Sequence, residues 1–191
     1  MLFRSELDKT DPALYNFRGI AYDQLSNFDL AIADYAQAIK LDPKNPDFYE
    51  NRALARSSKG DERGALEDYN SAISLNDKDA TIWNLRGVTR YNLQDFDGAI
   101  VDYSKAIELD IENPTYYDNR ALCREQKQDF AGAVEDYSMS IDLFPTDPET
   151  FLSRGKVKIR MNNTYDGCLD LKRAEEMGSA DARAIIRKQC K

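Results

Sequence analysis

Arginines stand at Arg18, Arg52, Arg86, Arg120 and Arg154, and sixteen residues after each stands an aspartate: Asp34, Asp68, Asp102, Asp136 and Asp170. A guanidinium and a carboxylate can join through two parallel charge-assisted hydrogen bonds, so one spacing repeated down the chain marks a candidate ion-pair ladder. Successive arginines are 34 apart throughout (52 − 18, 86 − 52, 120 − 86, 154 − 120). Each aspartate precedes the next arginine by 18, so it has two candidate partners, one within its own segment and one in the next. Desolvation offsets much of the attraction in a buried pair, and such a ladder would specify register more than it adds stability.

Other chemistry is scarce. The sequence has no histidine, which removes the commonest general base and the commonest metal ligand. Asp47, Glu50 and Asp118 are acids that an enzyme would have to use, but no nucleophile or metal-binding partner accompanies them. The Asp77 and Asp79 turn lacks the central Gly and closing Glu of a calcium loop, and no Gly-rich phosphate loop is present. Neither a cofactor, a metal nor catalysis is expected. Cys123, Cys168 and Cys190 form no CxxC pair and are odd in number, which suits free thiols in a reduced, cytoplasmic compartment better than a disulfide framework. Asn162-Asn163-Thr164 matches a glycosylation sequon by composition, but the charged first residues do not read as an export signal. A net charge of −8, from 26 basic and 34 acidic residues, opposes phosphate binding and argues against nucleic acid. No run of about 18 apolar residues exists to span a membrane.

The elements that must position the ladder follow from the same period. A small residue follows each arginine, at Gly19, Ala53, Gly87, Ala121 and Gly155, and an aromatic precedes each small residue by four: Tyr15, Tyr49, Trp83, Tyr117 and Phe151. Twelve residues after the small residue stand Ala31, Ala65, Ala99, Ala133 and Gly167, and four further on Tyr35, Tyr69, Tyr103, Tyr137 and Leu171. Apolar residues 3, 4 and 7 apart line one face of a helix, so each 34-residue unit reads as two helices, A and B, with the first pair near 12 to 25 and 28 to 41. Asn27, Asp61, Asp95, Asp129 and Asn163 stand in the connections as N-caps of the B helices, and Pro with Asp or Asn marks the exit turns.

This pattern of aromatic, small residue, Ala, aromatic and Ala resembles the tetratricopeptide repeat, a 34-residue helix-turn-helix unit. The resemblance covers five units, 12 to 45, 46 to 79, 80 to 113, 114 to 147 and 148 to 181, and implies an all-α fold, a right-handed superhelical solenoid of antiparallel helix pairs. Residues 1 to 11 resemble the tail of a helix B, with Leu7 in the slot of Leu41, and 179 to 191 read as a capping helix begun by Ser179. Some members of the family hold a chaperone's C-terminal carboxylate with Lys, Asn and Arg on successive A helices. Asn51 and Asn119 match the central Asn, but Asn16, Ile20, Thr81 and Leu85 stand where cations are needed around the first, and Asn84, Val88, Glu149 and Ser153 around the second. That mode of binding is therefore not expected.

The resemblance also implies a concave face built from the A helices. By position it collects Asn16, Ile20, Asp47, Glu50, Asn51, Leu54, Asn84, Leu85, Val88, Tyr91, Asp118, Asn119 and Leu122, an acidic face with an apolar centre that turns basic at Lys156 and Arg160. The expected function is a non-enzymatic scaffold whose groove binds a protein or peptide segment with basic and apolar residues, the asparagines bonding its backbone. The chain itself is expected to be a monomer or a weak dimer. The competing expectation is a spacer or oligomerisation segment of a larger protein, with Leu2 and Phe3 packing on a further repeat or a second subunit.

Overall fold

A computed structural model describes residues 10–190, and the expectations for Leu2, Phe3 and Leu7 lie outside them. Eleven helices account for the regular structure among the described residues: α1 (Pro12–Gln24), α2 (Phe28–Leu41), α3 (Pro46–Lys59), α4 (Glu62–Leu75), α5 (Ala80–Asn92), α6 (Phe96–Leu109), α7 (Pro114–Gln126), α8 (Phe130–Leu143), α9 (Pro148–Arg160), α10 (Thr164–Glu176) and α11 (Ala180–Gln189). The odd-numbered helices α1 to α9 are the A helices of the five repeats and α2 to α10 the B helices. The chain divides into two compact units, Met1–Gln94 and Asp95–Lys191, so that the boundary falls between the two helices of the third repeat.

Every A helix begins on an Asp or Asn whose side chain accepts from the amide two residues on: Asp11 from Ala13, Asn45 from Asp47, Asp79 from Thr81, Asn113 from Thr115 and Asp147 from Glu149. Pro at the first helical position of α1, α3, α7 and α9 costs nothing there because its missing amide would be unpaired anyway. The B helices are capped by Asp61, Asp95, Asp129 and Asn163 as expected. Asn27 departs from that pattern: it stands at the N-cap of α2 but its side chain makes no capping bond. Ser179 caps α11 by accepting from Ala182.

The turn between A and B carries a requirement absent from the sequence pattern. Ser26, Gly60, Gln94, Gln128 and Asn162, again 34 apart, all have φ between 59° and 88°. That left-handed conformation ends helix A and reverses the chain, and only Gly60 adopts it without opposing its own Cβ.

In the first unit, Ala31, Tyr35 and Ala55 form one buried cluster and Ala53, Ala65, Tyr69, Ala72, Ile73 and Ile82 a second. In the second unit, Ala121, Ala133, Tyr137 and Val157 form one cluster, and Ile141, Phe151, Leu152, Leu171, Ala174 and Ala182 another. Small residues at the crossings let the backbones approach. One case is α9 on α10, where a Cβ added to Gly155 would meet the Gly167 carbonyl oxygen at 2.9 Å and one added to Gly167 would meet the Gly155 carbonyl oxygen at 2.8 Å. Gly167 therefore replaces the Ala of other repeats because two backbones face each other there.

The cysteine expectation is corrected. Cys168 on α10 and Cys190 just after α11 form a disulfide, with Cα atoms 5.7 Å apart, and only Cys123 is a free thiol. Antiparallel packing of α11 on α10 brings together two residues 22 apart in sequence, and the odd count reflects one buried Cys123 that packs as a small hydrophobe. The reading of a reduced compartment from cysteine usage falls with it. No helix among the described residues is long and apolar enough to cross a membrane.

Candidate partner-binding face

The arginine spine sets the geometry from which the face projects. Arg18 donates from Nε and Nη2 to Asp34 at 2.6 Å each, Arg52 to Asp68 at 2.8 and 2.6 Å, Arg120 to Asp136 at 3.0 and 2.7 Å, and Arg154 to Asp170 at 2.9 and 2.8 Å. The two candidate partners are thus decided: these four aspartates bond within their own helix pair. The remaining edge of the guanidinium reaches back to the preceding B helix. Arg86 donates to Asn70, Arg120 to Ser104 and Arg154 to Ser138, at 2.9, 3.0 and 3.0 Å. Each arginine also lies over the aromatic three residues before it, between 4.6 Å for Arg86 on Trp83 and 5.8 Å for Arg52 on Tyr49. One side chain so ties its own pair, its neighbour and the aromatic wall.

A second cation completes the spine in places and was missed by the sequence reading. Arg56 donates to Asp68 and to the Gly64 carbonyl, Arg124 contacts Asp136 at 3.0 Å and donates to the Gly132 carbonyl, and Lys158 contacts Asp170 at 2.7 Å. The signal existed, since Arg56, Arg90, Arg124 and Lys158 are also 34 apart.

On the A helices the face residues are mostly half-buried. In the first unit, the Asn51 side-chain amide donates to Asn16 Oδ1 at 2.9 Å, linking neighbouring A helices and leaving one amide hydrogen and the Oδ1 of Asn51 for another group. Ile20 packs on the Ala31–Tyr35–Ala55 cluster and Leu85 on the Tyr69 cluster, so both serve as walls of the core more than as free contacts. Leu54, Val88, Tyr91 and Asn84 are half-buried and Asp47 is exposed. Glu50 is half-buried, and burial pushes its carboxyl up, with the charges of Asp79 and Asp47 adding to the rise.

In the second unit, Asp118 and Leu122 line an open pocket of about 150 Å³ with Tyr137, Asp147, Glu149, Thr150 and Ser153, while Asn119 is half-buried on the same helix. Thr150 places its hydroxyl 2.8 Å from Asp147 Oδ2 and 3.3 Å from both Asp118 oxygens. One hydroxyl hydrogen serves one carboxylate at a time, so the two acids compete for the Thr150 donor. Burial pushes the Asp118 carboxyl up to about 6; hydrogen bonds from Ser140 and Thr150 oppose the rise, and the charges of Asp147 and Asp136 add to it. The Tyr137 hydroxyl donates to Glu125 at 2.7 Å, and Glu125 also accepts from Arg160 at 3.0 Å. Asp147, Thr150 and Tyr137 were not among the expected site residues. The first two come from the start of the next A helix, and their approach to Asp118 depends on packing.

Glu50 and Asp118 are 68 residues apart, and so are the N-cap aspartates Asp79 and Asp147 that act on them. Alternate repeats thus present the same device, a partly buried acid on one A helix facing the capping acid of the next. Such a site can attract a cation and place an apolar contact beside it. Among the described residues no group of His, Cys, Asp and Glu is arranged to hold a metal ion.

The profile described as TPR repeat matches residues 19–60 and that described as Tetratricopeptide repeat matches residues 80–113, the latter coinciding with the third unit read from the spacing. The two matched segments carry tetratricopeptide repeats. In structure, the chain is similar to the MamA protein, at 20% identity and a TM-score of 0.84 over 90% of this chain and 94% of that one. It is also similar to YrrB, described as a TPR protein with an unusual peptide-binding site, at 16% identity and a TM-score of 0.83 over 96% of this chain and 95% of that one. PilF of Pseudomonas aeruginosa aligns at 20% identity and a TM-score of 0.77 over 92% and 80%. These likenesses show the fold, an all-α solenoid of antiparallel helix pairs. No curated protein matches the sequence.

Proposed function

We propose that this tetratricopeptide array is a non-enzymatic interaction scaffold that holds a segment of a partner protein on its A-helix face, with a group of acids in each unit selecting a lysine or arginine of that segment. The observation that carries this reading is the Asp118 pocket, where two carboxylates compete for the Thr150 hydroxyl beside Leu122 and Tyr137. A bound ammonium or guanidinium would neutralise the crowded acids and supply further donors, and its aliphatic stem would lie on Leu122. Glu50 with Asp47 and Asp79 offers the corresponding site in the first unit. Asn51 retains an amide hydrogen and an oxygen suited to an extended backbone. The similarity to YrrB, a peptide-binding array by its description, agrees with this reading.

The test is selection from a random peptide library by the wild type, by Asp47→Lys/Glu50→Lys and by Asp118→Lys. Enrichment of Lys or Arg next to apolar residues by the wild type, weakened in each variant, is the expected result. No enrichment of basic residues by the wild type would refute the acidic-pocket reading.

A further inference from the structure

We propose that the Cys168–Cys190 disulfide is a thiol–disulfide exchange site, at which a dithiol reductant releases the closing helix α11. This inference is independent of the partner-binding reading. Cys168 and Cys190 line an open cavity of about 380 Å³ together with Thr164, Tyr165 and Lys172, so an attacking thiolate has a path to the sulfurs. Tyr165, at 76% exposure, stands in solvent. Cys123 provides the contrast: it is fully buried, and burial pushes its thiol up to about 12, which leaves it neutral and inert.

The cavity also favours one direction of attack. Lys172 follows Cys168 by four residues on α10 and so stands on the same face of the helix. Its ammonium stabilises a thiolate at Cys168 and makes that sulfur the better leaving group. The reductant's first thiolate therefore bonds to Cys190 Sγ, the Cys168–Cys190 bond breaks, and Cys168 departs with the electron pair. The reductant's second thiolate then attacks its own sulfur in the mixed disulfide and expels Cys190 as a thiolate. Two electrons pass to the protein, the dithiol becomes a cyclic disulfide, and its two protons are the ones the cysteines take up.

Release matters because α11 has little else to hold it. It has ten residues, fewer than the dozen or so an isolated helix needs. Only Ala182 of the helix is fully buried, with Ile185 and Ile186 partly packed on the cluster of Leu152, Leu171 and Ala174. Its ion pair, Arg183 with Glu175 at 2.9 Å, is exposed. Ile185 and Gln189 of α11 further form one wall of a second cavity whose other wall is Lys156, Ile159 and Arg160 of α9. Opening α11 would uncover the apolar end of the second unit and remove that wall from the basic end of the A-helix face.

The experiment is hydrogen exchange read by mass spectrometry on the full chain, oxidised and after dithiothreitol, with Cys168→Ser/Cys190→Ser in the absence of reductant. Amides of residues 180–190 are expected to exchange about tenfold faster in the reduced protein and in the double variant, with α7 and α8 unchanged. Lys172→Ala is expected to slow reduction by dithiothreitol about threefold. Equal exchange of α11 in the oxidised and reduced states would overturn the proposal. So would three alkylatable thiols in denatured protein that has never met a reductant, since the crosslink would then not form. Reduction of Lys172→Ala at the wild-type rate would overturn the assigned direction of attack.

Discussion

Asp68 and Asp136 lie between helices and each meets two cations, whereas Glu50 and Asp118 face an open surface and a second acid. Both pairs are 68 residues apart, so the same period serves two regions with opposite chemistry. In the spine the partners are supplied by the fold, and the side chains of Asp68 and Asp136 keep only 3% of their exposure. On the A-helix face the fold gives Glu50 and Asp118 an acid for a neighbour where the spine gives a cation. A partly buried carboxylate without its counterion marks a place where a ligand has something to contribute.

The largest expected difference between the regions is in stability. Asp136→Ala strands Arg120 and Arg124 between helices and is expected to cost about 3 kcal/mol in denaturant unfolding, whereas Asp118→Ala should cost less than about 1 kcal/mol. Equal costs would erase the distinction between spine and face. The turns belong with the spine, because the fold imposes their conformation whatever residue stands there. Gln128, at φ 61°, is expected to yield about 1 kcal/mol of added stability when replaced by glycine, visible as a higher melting temperature.

The face responds to pH in a defined direction. The Asp118 carboxyl is raised from 3.8 to about 6, so the folded protein holds a proton that the unfolded chain has lost between those values. Stability from this group is complete below about pH 4 and is lost as pH rises through about 6. After allowance for solvent screening of a partly exposed group, Asp118→Asn should gain about 1 kcal/mol over the wild type between pH 4 and pH 7 in paired denaturant curves. A constant difference across that range would show that Asp118 is not raised. The smallest effect belongs to exposed charges outside both regions: Lys127→Ala, which removes the pair with Asp97, should change stability by less than about 0.5 kcal/mol.

The spine was legible in the sequence because one residue type answers one fold position at every turn of the period. The N-caps Asp61 and Asp129 needed only spacing and side-chain chemistry, which also offered Arg52 as one of the two candidate partners of Asp68. Glu50 and Asp118 could be placed on the A-helix face by the same count. Asp147 and Thr150 could not be joined to Asp118, because that contact crosses from one helix pair to the next and depends on how closely they stack. The left-handed residues escaped notice because four of the five are Ser, Gln or Asn, types that carry no turn signal as strong as Gly60.

The sequence by itself determined the period, the helix pairs, the caps and the small-on-aromatic packing, since these are local or repeat every 34 residues and so announce themselves five times. Only the tertiary structure decided which helix each aspartate bonds, that two acids share the Thr150 hydroxyl, and that Cys168 meets Cys190. Each of those depends on the distance between helices, which is set by the summed packing of many side chains and is written at no single position.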